Sequence, residues 1–479
     1  MVEKIQQKLS DSKTARWAAL MIVSITLFGG YFLTDVMSPL KPMLESQFGW
    51  SSTSYGVFTS AYGWFNIFLL MLIFGGIILD KMGVRFTGAA SAGVMVLGAG
   101  LKYWAISHPT MDIVHLPFGV EMNEQVLLAS LGFAIFGVGV EVAGITVSKI
   151  IVKWFRGNEM ALAMGMQMAI ARLGTMLAMF APVPLATYFS SVHTQIIGGE
   201  LVEKAGPSIS APLAFALILL SIGFLTFFIY IGMDKKLDKS TIATKEATED
   251  DNFKFSDILL IVRNGGFWLI ALLCVLFYSA VFPFIKYATD LVVNKYGLDP
   301  EVAGLIPMFL PLGTLFLTPF FGNIYDRKGK GATIMIIGAV LILFVHSIFA
   351  LPFFNHWIVA LLLVIILGVA LSLVPSAMWP SVAKIIPEKQ LGTAYSLIFW
   401  IQNWGLAGVP LLIGYVLDKS NPQVAAAKAA GDAVIPVYDY TNPMLIFALL
   451  GVLAIAVAFG LKMLDKKRHY GLQEANIKK

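Results

Sequence analysis

Twelve runs of predominantly apolar residues follow one another along the chain, near residues 17–38, 53–79, 86–106, 126–151, 159–187, 211–232, 265–289, 300–324, 331–351, 357–383, 391–416 and 443–463. A helix needs about 20 such residues to cross the hydrocarbon of a bilayer. The pattern therefore predicts an all-α membrane protein with twelve transmembrane helices. The polar interruptions are short, except for residues 234–257, where twelve of 24 are Asp, Glu or Lys. Such a run reads as a solvated cytoplasmic linker. It divides the chain into an N-terminal six-helix bundle (1–233) and a C-terminal one (258–479).

Lysine and arginine placement orients the spans. With the N-terminus in the cytoplasm, 25 of the 34 basic residues fall on the cytoplasmic side and 7 outside, among them Lys41, Lys102, Lys286 and Lys428. Lys149 and Arg172 remain inside spans. This bias puts both termini in the cytoplasm, and it accounts for the net charge of +5 without a nucleic-acid partner. Only 13% of residues are charged and 58% are apolar, too few polar groups to coat a soluble domain of this size. Cys274 is the lone cysteine and the six histidines are scattered. The sequence thus offers no disulfide, no metal cluster, no phosphate-cradling loop and no nucleophile–base pair, and no cofactor or enzymatic activity is expected.

Two hairpins carry the same motif. Gly76-x-x-x-Asp80-Lys81-x-Gly83-x-Arg85 follows the second run, and Gly322-x-x-x-Asp326-Arg327-x-Gly329-x-Lys330 follows the eighth. The first glycine permits close helix approach and the second a sharp turn at the membrane edge. The aspartate can meet a helix N-terminus or a cation there, so Gly76, Asp80, Lys81, Gly83, Arg85, Gly322, Asp326, Arg327 and Gly329 form a candidate conformational latch. Two copies in register within a six-plus-six chain resemble the major facilitator superfamily. The resemblance implies two bundles related by an axis along the membrane normal, a substrate site near mid-membrane between them, and alternating access by rocking.

An ionisable side chain near the bilayer centre is costly and points to function. Glu141 lies in the fourth run and Arg172 in the fifth, about 15 residues, or roughly 23 Å, on either side of the hairpin that joins them. They therefore share one depth. Two readings follow: a direct ion pair that holds the helices together, or a clamp in which Glu141 faces an ammonium and Arg172 grips a carboxylate bidentately. The glycines around Glu141 leave room for a cavity or for a helix contact. Asp35 and Lys286 fall at the outer ends of spans, where snorkelling accounts for them. Lys149 reads as a topological charge or latch partner, and His346 as a satisfied histidine.

A narrower resemblance rests on Gly139-Val-Glu141, Trp154-Phe155, Arg172-Leu-Gly174, Ala280-Val-Phe-Pro-Phe-Ile285, the block from Trp379 to Tyr395, and Gln402-Asn403. These segments are similar to the branch typified by major facilitator superfamily domain-containing protein 1, the lysosomal dipeptide transporters of animals. The resemblance implies that Glu141 meets a dipeptide N-terminus and Arg172 its C-terminal carboxylate, with Trp379 in the cavity wall. It extends to Tyr31, Tyr62, Tyr278, Gln402 and Asn403 as lining residues, although Tyr31 and Tyr62 can equally pack within the bundle. The implied function is facilitative or secondary active transport of short zwitterionic peptides by a monomer in the lipid bilayer. The alternative is proton-coupled symport of another carboxylate, such as a sugar acid. The glycosylation sequons of a lysosomal protein are absent, which makes a bacterial inner membrane the expected location and leaves any accessory subunit undetermined.

Overall fold

The computed structural model describes residues 9–116, 119–155, 159–197, 199–241, 255–387, 390–430 and 435–476. Ten of its helices are long and apolar enough to cross a membrane. The two remaining crossings explain themselves. The second is broken into Ser52–Ser60, a 3-10 turn at Ala61–Gly63, and Trp64–Phe68, before Leu70 takes a left-handed φ of 53° and the helix Met71–Ser107 begins. That helix holds the rest of the second span and the whole third span, divided at Gly83. The eighth span, Phe309–Lys328, ends in Tyr-Asp-Arg-Lys and is less apolar than the others.

The second glycine of each repeated motif does the work expected of it. Gly83 has φ 76° and Gly329 φ 66°, values that cost a residue with a Cβ roughly 1–2 kcal/mol. The first glycines do not. A Cβ added at Gly76 or Gly322 would meet open space, so neither marks a close helix contact here.

In the N-terminal half the first span (Lys13–Asp35) packs on the fifth (Met160–Phe180) and sixth (Ser210–Thr241), and the third on the fourth (Glu124–Phe155). In the C-terminal half the seventh (Gly265–Tyr296) packs on the eleventh (Leu391–Ser420) and twelfth (Thr441–Arg468). The ninth (Gly331–Ala350) packs on the tenth (Trp357–Ile385) and the twelfth. The halves meet where the second span crosses the eleventh and the fifth crosses the eighth. Small residues set both distances: a Cβ on Gly414 would fall 2.2 Å from Ser52 O, and one on Gly304 2.0 Å from Met179 O. In a bilayer, where apolar burial against lipid gains little, such close backbone contact is the main source of helix affinity.

Two antiparallel hairpins, Ile113–Leu116 with Val120–Asn123 and Ser191–Ile197 with Glu200–Gly206, link spans three to four and five to six. They mark one face of the molecule, the hairpin face. The termini mark the other: Arg16 bonds Glu159 in the turn between spans four and five, and the backbone of Lys330 and Gly331 bonds Gln473 and Leu472 of the tail.

The helix of the sixth span continues to Thr241, into the segment expected as linker. Asp234, counted there as solvated, is fully buried. It accepts from Arg85 Nε at 2.6 Å, Lys153 Nζ at 2.8 Å, Trp154 Nε1 at 3.2 Å and Tyr230 Oη at 3.1 Å. A short helix, Phe255–Val262, precedes the seventh span; linker residues 242–254 lie outside the described residues.

Candidate substrate site between the two halves

Glu141 and Arg172 do not pair with each other. Glu141 Oε1 accepts from Tyr62 Oη at 2.6 Å. Gly137 makes this possible, because a Cβ there would lie 2.3 Å from Tyr62 O. The fourth span thus comes close enough to the broken second span for the tyrosine to reach the carboxylate one helical turn on. Gly139 packs on Ser91 and Met95 of the third span, while Gly144 faces open space. The glycines near Glu141 therefore serve mainly helix contact. Gly30 packs against Val140, and Tyr31 beside it is half-buried.

Arg172 has no hydrogen-bond or ion-pair partner among the described residues. Its guanidinium lies 5.6 Å from the ring centre of Phe282 in the seventh span, so it reaches across to the other half. Phe282 stacks on Tyr278 with centroids 5.4 Å apart. Trp379 Nε1 donates to Tyr278 Oη at 3.1 Å. Trp379 in turn stacks on Phe399 at 4.9 Å, and its carbonyl accepts from Tyr395 Oη at 3.2 Å. An aromatic wall thus runs from Arg172 through the seventh and tenth spans to the eleventh. Phe282, Tyr395 and Phe399 were not among the expected site residues. Their signal was in the spacing, since Tyr278/Phe282 and Tyr395/Phe399 are i, i+4 pairs that share a helix face.

Gln402 and Asn403 belong to this neighbourhood but are turned into the packing. Gln402 Oε1 accepts from Cys274 Sγ at 3.6 Å, and Asn403 Nδ2 donates to Phe399 O in its own helix at 2.9 Å. His346, expected to be satisfied, is only half so: Nε2 sits 2.9 Å from Ala280 O, while Nδ1 is buried without a hydrogen-bond partner among the described residues.

Charges expected in loops or snorkelling instead join the two halves at the hairpin face. Lys286 is ion-paired with Asp35, and also donates to Thr34 O at 2.6 Å. Lys41 is fully buried between Glu45 at 2.6 Å and Asp290 at 2.7 Å. Tyr440 Oη also bonds Asp290, and Lys428 reaches Glu45 at 2.7 Å. Asp418 Oδ2 accepts from the backbone N–H and the hydroxyl of Thr53, both at 2.6 Å. Burial works against both charges of the short helix Lys41–Phe48 (between spans one and two). Even so, Asp290 and Glu45 hold Lys41 well above the usual lysine range. Lys41 and Lys428 hold Glu45 below the usual carboxylate range.

At the terminal face every ionic contact among the described residues stays within one half. Lys149 reaches Asp80 at 2.5 Å, and Arg85 holds Asp234 and Asp238. Asp326 accepts from Asn476 Nδ2 at 2.8 Å. Lys81 and Arg327 are both exposed at the same face. The arrangement is that of two bundles closed against each other at one face and joined there by charge, with an arginine unpaired among the described residues and a tyrosine-held carboxylate within the spans.

Comparison with known proteins bears on this geometry. The family model of the Major Facilitator Superfamily matches residues 20–410 and 287–476. The chain belongs to that superfamily. It is 28% identical over 410 residues to the "Lysosomal dipeptide transporter MFSD1" of Danio rerio, covering 84% of this chain and 81% of that protein. The human protein of the same name is 26% identical, with 84% and 80% covered. Among solved structures, a bacterial homologue of the human lysosomal transporter Spinster, in an inward-facing and unoccupied conformation, superposes with a TM-score of 0.66 at 14% identity, covering 95% of this chain and 98% of that one. The nucleoside transporter NupG superposes with a TM-score of 0.65 at 14% identity, covering 94% and 99%. The protein is a multi-pass membrane transporter of the major facilitator fold.

Proposed function

We propose that this transporter carries dipeptides, holding both free termini between Glu141 and Arg172 at mid-membrane. The observation that carries the reading is the state of the two charges. Residue counting puts them level, yet Glu141 is held by Tyr62 and Arg172 has no anionic partner among the described residues. An arginine left so within a membrane is costly, and a substrate carboxylate is the natural counter-charge, engaged bidentately. The peptide ammonium would take the Glu141 oxygen not used by Tyr62. The wall of Phe282, Tyr278 and Trp379 would accept varied side chains by contact area. The names of the animal relatives agree with this substrate class. Residues 1–233 and 258–479 would act as the rocking bundles, with both termini cytoplasmic. The two repeated hairpins would latch across the terminal face when the hairpin face opens. A bacterial inner membrane is the proposed location.

The test is thermal stabilisation of the purified protein by dipeptides, their N-acetylated and C-amidated forms, free amino acids and sugar acids. Dipeptides with both termini free are expected to stabilise it, and either blocked form to lose at least about tenfold in affinity, the loss of one charge-assisted contact. Equal stabilisation by the N-acetylated peptide overturns the reading. Stabilisation by sugar acids alone replaces it with carboxylate transport.

A further inference from the structure

The third span holds a lysine that none of the contacts above uses. Lys102 is fully buried, and no carboxylate lies within ion-pair distance of it among the described residues. Its backbone is pressed against the fourth span, where a Cβ on Gly132 would fall 2.6 Å from Lys102 N. Its ammonium lies 4.4 Å from the ring centre of Phe133 and 5.0 Å from that of Phe58, and donates to Leu33 O over 3.4 Å. That carbonyl is two residues, or about 3 Å of helix, before Asp35. Helix carbonyls point towards the C-terminal end, so Lys102 already sits on the side of Leu33 that leads to the aspartate. Lys286, arriving from the other half, lies 6.0 Å from the same Phe133 ring and holds Asp35. Asp35 therefore carries a lysine from the other half, and a lysine of its own half is bonded to the carbonyl two residues before it.

We propose that Lys102 is the second partner of Asp35, and that the two lysines exchange on it during the transport cycle. When the halves close at the hairpin face, Lys286 takes the carboxylate and Lys102 waits in its aromatic box. When the halves part, Lys286 is withdrawn, and Lys102, anchored in the same half as Asp35, turns to it from Leu33 O on its flexible stem. The exchange keeps Asp35 paired in both states, because an abandoned buried charge would hold the gate shut. Lys102 is thus a positioning residue for opening and need not touch substrate.

The proposal makes the two lysines act in opposite directions, which neither a packing role nor a simple surface charge would do. Hydrogen–deuterium exchange of the full chain in detergent or nanodiscs reads it out on residues 52–60 and 407–417, the segments sealed at the hairpin face. Lys102→Gln keeps a donor for Leu33 O and removes the charge, whereas Lys102→Arg keeps the charge. In Lys102→Gln, exchange of these segments is expected to slow several-fold and dipeptide uptake to fall at least tenfold, with ligand stabilisation unchanged. Lys286→Met is expected to speed exchange, and Lys102→Arg to behave as the parent. In an Asp35→Asn background the effect of Lys102→Gln is expected to vanish. Shifts of the same sign for both lysines, or a Lys102→Gln effect that survives Asp35→Asn, overturn the exchange. So does a failure to fold in Lys102→Gln, whether or not Lys102→Arg folds, because Asp35 is already occupied in the closed state. The exchange measurement uses no substrate, so its outcome is separate from that of the dipeptide reading.

Discussion

The two faces of this transporter use the same kinds of charge in opposite ways. At the hairpin face Lys41, Glu45, Asp290 and Lys428 form a buried chain that crosses from one half to the other, with Lys286 and Asp35 beside it. At the terminal face Asp80 with Lys149, and Arg85 with Asp234, tie spans together within one half. The helix contacts differ in the same sense. Gly414 and Gly304 are sealed against the opposite half, while Gly76 and Gly322 face open space. A salt bridge in such a protein has to be judged by which bodies it joins. Only a bridge between the halves biases the conformational equilibrium, by as much as its strength differs between the two states.

Four changes would break or sharpen this contrast. The largest effect belongs to Asp290→Asn, which leaves Lys41 buried with Glu45 alone. Removing one partner of a buried pair costs about 3–5 kcal/mol. A lower melting temperature and faster amide exchange at residues 41–60 are expected, and unchanged exchange there would show that the charges do not hold this face. Gly414→Ala comes next, because its Cβ would meet Ser52 O. Overpacking of this kind costs roughly 1–3 kcal/mol, and the closed face is expected to open without loss of fold, as read by the same exchange. Asp80→Asn breaks a half-exposed pair within one half, worth about 0–1 kcal/mol. Its melting temperature is expected to stay within about 2 °C of the parent's, whereas its uptake rate falls if the hairpin latches in the other state.

The smallest effect is an absence. Glu45 sits below the usual carboxylate range, so its stabilisation is complete above the unfolded-state value near ~4.3 and is lost only as pH falls through its lower folded value. Lys41 sits above the usual lysine range, so its contribution is complete below about 10.4 and is lost only at higher pH. The contributions of Glu45 and Lys41 to closure of the hairpin face are therefore expected to be flat between about pH 5.5 and 8, and a marked pH dependence in exchange there would place a different group in control.

Much of the candidate site was legible because depth can be computed along a helix. Counting residues from one hairpin put Glu141 and Arg172 level, and their rarity within apolar runs singled them out. What the count could not give was their partners. Whether two level charges meet depends on helix rotation, and here Gly137 docks the broken second span so that Tyr62, not Arg172, takes the carboxylate. The same limit applies to Lys41, Lys102 and Asp234. Each lies near a span end and reads as loop or linker from hydropathy, yet each is fully buried, by neighbours distant in sequence.

Hydropathy and a repeated hairpin were enough for the membrane class, the twelve crossings and the superfamily, because a bilayer imposes its thickness and polarity on every span separately. Those are one-dimensional constraints, and a sequence can state them. Which side chains face one another is decided between spans, by glycine contacts and helix rotation. It was therefore the tertiary structure that left Arg172 without an anionic partner among the described residues, closed one face with buried charge, and bonded Lys102 to the carbonyl two residues before Asp35.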